Sequence, residues 1–297
     1  MRYVLIGGTG TLGQELTRQL EWRDLKAKVT IFSRDEVKQQ TMRSRFPGAR
    51  YVIGDVRDRD ALRSVLSGCD VAFLLAAIKH IDVAEQNPLE AVKTNFLGAV
   101  NVAEVALEAG VKYVVYSNTD KAVLPITTYG YSKALAQNYL LSLNERNETK
   151  FSAFNWGNIA GSRGSVINTF VNSLKNHGKV RVTDPRMTRF WLTIDQAAAF
   201  MLQNYKIARR DRAMVPPLKA ATVVRVAETV AYLLGVTNYD IEMVGLRGTE
   251  KIHEVLDSSH DGCLRSDTCE QYTDEELRDL LRPIVLSADL RAAQGVA

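Results

Sequence analysis

Short apolar runs alternate with amphipathic stretches through the first half of the chain. "YVLIGG" (3–8), "KVTIFS" (28–33), "RYVIGD" (50–55), "DVAFLLAA" (70–77) and "VKYVVYS" (111–117) are apolar and mostly rich in β-branched or aromatic residues, which predicts five strands. The segments between them carry apolar residues at helical spacing. Examples are the stretch from Thr11 to Trp22 and "PLEAVKTNFLGAVNVAEVALEAG", which Gly110 closes. Strands alternating with helices of this length predict an α/β fold, a doubly wound parallel sheet of the Rossmann type.

Beyond about residue 155 the rhythm loosens. "GSRGSVINTFVNSLKNHG" reads as a loop and helix, "KVRVTDPRMTRFWLT" as short strands and "TIDQAAAFMLQNYK" as a helix. The expected organisation is a nucleotide-binding core at 1–155, to which segments around 190–215 return. A smaller C-terminal lobe takes 156–189 and 216–285, and a loosely ordered tail takes 286–297.

Composition narrows the classes. A net charge of +4 with both signs interspersed argues against a nucleic-acid partner. Cys69, Cys263 and Cys269 have no metal-ligand spacing, and with four histidines no metal site is expected. No apolar run approaches the ~18 residues of a membrane span. "MRYVLIGG" enters a strand directly without a signal-peptide pattern, so the protein is expected to be cytoplasmic.

"GGTGTLG" joins the first strand to the first helix. Gly7, Gly10 and Gly13 lack the β-carbons that would keep a pyrophosphate from the backbone and the helix N-terminus. At the end of the second strand stand Ser33 and Arg34, a hydroxyl and a guanidinium suited to a 2′-phosphate, so NADP is favoured. Asp35 is the feature that would suit NAD instead. Asp55, ending the third strand, is either an acceptor for an adenine amino group or a turn former.

The segment "SNTDKAVLPITTYGYSK" (117–133) crowds titratable groups. Tyr129 and Lys133 lie one helical turn apart, and a lysine so placed favours the phenolate of a residue whose ordinary pKa is ~10. Tyr129 is then the proton acceptor for a sugar hydroxyl as hydride leaves for the cofactor. Tyr131 has no lysine four residues on.

With "FSRDEVKQ", "AAIKHIDVAEQNPLEAVKTNFLGAVNV", "TDKAVLPITTYGYSK", "GNIAGSRGSV", "TDPRMTRFW" and "EKIHE", the chain resembles the inverting UDP-N-acetylglucosamine 4,6-dehydratases. These are extended short-chain dehydrogenases/reductases of the polysaccharide biosynthesis type. The resemblance runs to about residue 256 and implies oxidation at C4, loss of the C5 proton and of the 6-hydroxyl as water, and hydride return to C6. It implies Asp120 as acid, Lys121 as base and Thr119 as the hydrogen-bonding partner, and NADP held tightly and regenerated each cycle. Retaining relatives tend to carry methionine where this chain has Tyr129, so an inverted L-arabino product is expected.

The same resemblance sets Thr9, Thr11, Leu12, Lys38, Val56, Ala76 and Ile159 against the cofactor, and Lys79 against cofactor and sugar. It assigns Asn158, Arg163, Thr183 and Arg189, with Arg247 and Glu250 of the closing motif, to the nucleotide sugar. A homo-oligomer, dimer or hexamer, is implied. The chain departs from the pattern at Asn118 (usually serine), at Asn155 (usually arginine) and at Thr249, where the closing motif's glycine moves by one, and Leu75 is larger than usual. A nucleotide-sugar 4-epimerase shares the glycine turn and Tyr-Lys pair but needs no Asp-Lys pair. A non-catalytic NADP-binding regulator commonly lacks the Tyr-Lys pair.

Overall fold

The computed structural model describes residues 1–162, 164–257 and 263–293. The chain forms two compact units, Met1–Trp156 with Ala197–Pro216, and Gly157–Gln196 with Pro217–Ala297.

The first unit is built on six strands: β1 (Arg2–Ile6), β2 (Lys28–Ser33), β3 (Arg50–Ile53), β4 (Val71–Leu74), β5 (Tyr113–Ser117) and β6 (Lys150–Phe154). Every pairing is parallel, in the order β3-β2-β1-β4-β5-β6. This is the doubly wound Rossmann-type sheet, whose order reverses between β1 and β4. The helices are α1 (Thr11–Arg23), α2 (Glu36–Arg43), α3 (Arg59–Leu66), α4 (Ile81–Gln86), α5 (Pro88–Ala91), α6 (Gly98–Glu108) and α7 (Thr128–Ser142). Between α5 and α6, Val92–Leu97 is π-helical, so the stretch that reads as one helix carries an extra backbone residue.

β6 is absent from the five-strand expectation. Its sequence, "KFSAF", is short, and its edge is covered from a distance: Met214 N–H donates to Ala153 O at 2.7 Å and Asn155 N–H to Met214 O at 3.0 Å. The returning segment that makes these bonds begins at Ala197 rather than near 190.

The second unit contains β7 (Asn158–Ile159), α8 (Val166–His177), β8 (Lys179–Val182), β9 (Thr188–Leu192), the start of α9 (Ile194–Asn204), β10 (Lys219–Thr222), α10 (Val223–Leu234), β11 (Asp240–Met243), β12 (Val255–Asp257), β13 (Leu264–Arg265) and α11 (Asp274–Ala293). β9 lies between β10 and β7, which is why residues near 190 belong here. Trp191, Leu277, Leu281 and Val285 share its core with α8 and α10. The expected loose tail from 286 is, through residue 293, the last two turns of α11, and Ala288 is buried in that core. No helix among the described residues is long and apolar enough to cross a membrane.

Candidate active site

The turn after β1 is shaped by what its glycines exclude. Gly7 sits at φ +83°, and a β-carbon there would lie 2.6 Å from Ala76 N. One on Gly13 would lie 2.2 Å from Gly8 O, so α1 packs directly on the turn. Gly10 caps α1 with no side-chain hydrogen bond, and the positive end of the helix adjoins the glycine turn. This cradle fits a dinucleotide pyrophosphate. Thr9 is buried and Thr11 and Leu12 are half-buried on the turn, while Ala76 follows β4 close against Gly7.

At the end of β2, Ser33 is buried and Arg34 exposed, 3.4 Å from Asp55. Asp35 caps α2, accepting Lys38 N–H at 2.9 Å, and its carboxylate also holds the Lys38 ammonium. Asp55 is committed to Arg57, whose Nε and Nη2 reach its two oxygens at 3.0 and 2.8 Å. Burial alone would raise that carboxyl, but Arg57 outweighs it and holds the group below its usual range. Asp55 also accepts Arg57 N–H, the geometry of a turn former. Val56 is buried in the core beside Gly98.

Sequence reasoning missed two side chains here. Buried Gln39 donates to Ser33 O, Ser33 Oγ and Val52 O at 3.0, 3.1 and 2.8 Å, tying β2 to β3. Asn95, in the π-helical turn, accepts Ile78 N–H at 2.8 Å and donates to Ile78 O at 3.1 Å and Ser132 Oγ at 3.0 Å. It thereby fixes the loop in which Lys79 stands exposed. The available signal was a polar residue at a position the helical pattern makes apolar.

After β5 the chain turns through a 3₁₀ segment, Asp120–Ala122. Asp120 is 1% exposed, and its Oδ1 accepts the Thr119 hydroxyl at 2.9 Å and the Lys121 ammonium at 3.0 Å. Its Oδ2 is buried and has no hydrogen-bond partner among the described residues. Thr127 caps α7 by accepting Gly130 N–H at 3.1 Å, which starts the helix at Thr128 and sets Tyr129 in its first turn. A β-carbon on Gly130 would lie 2.3 Å from Lys121 O, so this first turn presses directly on the Asp120–Lys121 segment.

The titration of the Tyr-Lys pair departs from expectation. Burial raises the Tyr129 phenol, and the lowering influences are the Lys121 charge and the Thr119 hydroxyl, not Lys133. The Lys133 ammonium instead donates to Ser117 O at 2.7 Å and lies 4.0 Å from the centre of the Tyr116 ring. Burial pushes its pKa down to about 7. Thus Thr119, Asp120, Lys121, Tyr129 and Lys133 are gathered in the first unit, with Lys121 as the cation that acts on the phenol.

In the second unit, half-buried Asn158 and Ile159 form β7, opposite Trp191 and Leu192. Thr183 donates to Met187 Sδ at 3.3 Å. Arg189, expected to meet the sugar or diphosphate, is 8% exposed and braces the backbone. Its Nη1 donates to Thr188 O and Ile252 O at 2.8 and 3.0 Å, and its Nη2 to Lys251 O at 2.8 Å. Arg247 is exposed, whereas Glu250 is half-buried with Oε2 unpartnered among the described residues. Arg163 lies outside the described residues.

The profile of a family described as polysaccharide biosynthesis protein matches residues 4–275. The chain is 36% identical over 267 residues to a Campylobacter jejuni protein named UDP-N-acetylglucosamine 4,6-dehydratase (inverting), covering 88% of this chain and 78% of that one. It is 35% identical over 278 residues to a Rickettsia canadensis protein named UDP-glucose 4-epimerase, covering 91% and 81%. Among solved structures, Pen from Bacillus thuringiensis superposes with a TM-score of 0.88 at 32% identity, covering 96% of this chain and 98% of that one. DesIV, a dTDP-glucose 4,6-dehydratase from Streptomyces venezuelae, shares the fold with a TM-score of 0.82 at 21% identity, covering 99% and 98%.

Proposed function

Because the chain belongs to the polysaccharide biosynthesis protein family, we propose that it dehydrates UDP-N-acetylglucosamine to a 4-keto-6-deoxy sugar nucleotide with inversion at C5. The observation that carries this reading is the contact of buried Asp120 with half-buried Lys121 at 3.0 Å beside Tyr129. The glycine cradle fits a nicotinamide dinucleotide, and Ser33, Arg34 and Lys38 favour NADP. NADP, when bound, supplies the hydride acceptor for oxidation at C4 and the hydride donor for the return to C6.

The chain's own groups then move protons. Tyr129 takes the proton of the 4-hydroxyl as that oxygen becomes a ketone. The ketone acidifies C5–H, Lys121 removes that proton, and Asp120 protonates O6 as it leaves as water. The elimination needs a neutral amine and a neutral acid. Moving one proton from Lys121 to the Asp120 carboxylate, to rest on Oδ2, produces both from the ion pair, and the elimination restores the ion pair. Oδ2, uncommitted to other described residues, is the oxygen available to the substrate. A solvent-derived proton delivered to the opposite face of C5 completes the inverted product, and Tyr129 resets by releasing to solvent the proton it took. The second unit supplies the nucleotide-sugar lobe, with Asn158, Thr183, Arg247 and Glu250 as its contacts.

A homo-oligomer belongs to the same reading. Leu89 of α5, Leu97 of the π-helical turn, and Tyr131 and Leu135 of α7 are exposed apolar side chains on neighbouring elements.

Proton NMR with UDP-N-acetylglucosamine and NADP in deuterated water tests the reaction. A new 6-methyl signal with deuterium at C5 is the expected result. Asp120→Asn and Lys121→Ala should each slow its appearance by about a hundredfold or more. Unchanged sugar sinks the reading for this substrate. A C4 epimer with its 6-hydroxymethyl intact establishes the second reading, a 4-epimerase, which the Rickettsia relatives favour.

A further inference from the structure

Asn118 and Asn155, 37 residues apart in sequence, are in contact: Asn118 Nδ2 donates to Asn155 Oδ1 at 2.9 Å. The same nitrogen donates to Gln137 Oε1 at 2.6 Å. Gln137 lies on α7, one turn beyond Lys133. Asn118 and Asn155 are 5% and 3% exposed. The backbone runs alongside: Asn118 N–H donates to Phe154 O at 2.8 Å and Asp120 N–H to Trp156 O at 2.9 Å. These backbone bonds set the register of 118–120 on 154–156, and the side-chain bond to Gln137 ties Asn118 to α7.

The arrangement leaves Asn118 Oδ1 buried without a hydrogen-bond partner among the described residues. An unpaired buried acceptor is unfavourable, and a serine at 118 would remove it. Both amide protons of Asn118 are committed in return, one to each side of the turn. Asn155 offers the carbonyl that accepts one of them. An arginine there has no acceptor and would set donor against donor. The two departures from the family pattern are therefore one feature.

Resting on the dehydratase reading, we infer that Asn118 and Asn155 are a coupled pair of positioning residues, joined through Gln137 to α7, that sets the Asp120–Lys121 turn against the substrate. Neither touches the reacting atoms. Lys133 is held apart from the pair, by Ser117 O and the Tyr116 ring. Tyr129 starts from the Thr127 cap, but its phenol also feels the Thr119 hydroxyl and the Lys121 charge of the turn. The pair therefore acts first on elimination, through Asp120 and Lys121, and only secondarily on oxidation at C4.

Four proteins test this: the wild type, Asn118→Ser, Asn155→Leu and the double variant. Each is mixed with UDP-N-acetylglucosamine and NADP, and two signals are followed. Near-ultraviolet absorbance of reduced nicotinamide reads oxidation, and the 6-methyl resonance reads elimination. Each single variant should lose about ten- to a hundredfold in 6-methyl formation and distinctly less in oxidation, about fivefold at most. The double variant should be no worse than the worse single one. Equal loss of both signals, or losses that multiply in the double variant, overturns the inference. A wild type that yields neither signal sinks the proposed reaction separately. Urea midpoints of the four proteins then decide the coupling: a non-additive double variant upholds it, and additivity overturns it.

Discussion

Lys133 shows how one buried charge ties activity to stability. Its ammonium is folded beneath α7, and burial takes its pKa from the usual lysine value to about 7. Below that pH the charge is retained in both folded and unfolded chains, and folding bears the whole desolvation penalty. Between about 7 and the unfolded value of ~10.4 the unfolded chain binds more protons, so this group's contribution to stability rises with pH. Lys133→Met should therefore raise the melting midpoint most near pH 6, with the gain shrinking towards pH 10. Tyr116 offers a second reading at this scale. Its hydroxyl is buried and unpartnered among the described residues, while its ring lies under the ammonium. Tyr116→Phe keeps the ring and removes the orphan, and should stabilise the protein by about 1 kcal/mol in denaturant unfolding. The Tyr129–Lys133 spacing was legible in the sequence because both lie on one helix. Ser117 and Tyr116, which hold the lysine, come from β5, and nothing local announces them.

At the scale of elements, α7 packs tightly on the 3₁₀ turn at Gly130. A methyl group there would meet Lys121 O, a backbone atom that moves only with the turn. Gly130→Ala should destabilise the fold by about 1–3 kcal/mol and cut 6-methyl formation by a larger factor than it cuts cofactor binding. Isothermal titration with NADP beside the NMR assay separates the two. The glycine turn after β1 was readable because strand, glycines and helix are consecutive. The π-helical turn was not. Its surplus residue keeps the apolar spacing of a helix on both sides, and only the Asn95 contacts to Ile78 and Ser132 reveal why it is there.

Over the whole molecule, the chain leaves the first unit at Trp156, returns to it for Ala197–Pro216, and leaves again. The second unit's core depends on α11, where Leu281 is fully buried against α8 and α10. Leu281→Ala should cost about 2–5 kcal/mol there. Trp191 lies in that core and Trp156 in the first unit, so a variant retaining only Trp191 would report the loss as a lowered midpoint of its fluorescence transition.

By itself the sequence determined what neighbouring residues decide together: alternating strands and helices, a turn that only glycine allows, and a tyrosine and lysine on one helical face. Tertiary structure decided what depends on distant segments. It made β6 a covered strand by bringing Met214 to its edge, turned Asp55 to Arg57, and spent Arg189 on the backbone around residue 252. It also joined Asn118 to Asn155. The physical reason is that periodicity records which face of an element is apolar. A polar side chain's partner is chosen by the strand order and by whichever unpaired group burial leaves within reach.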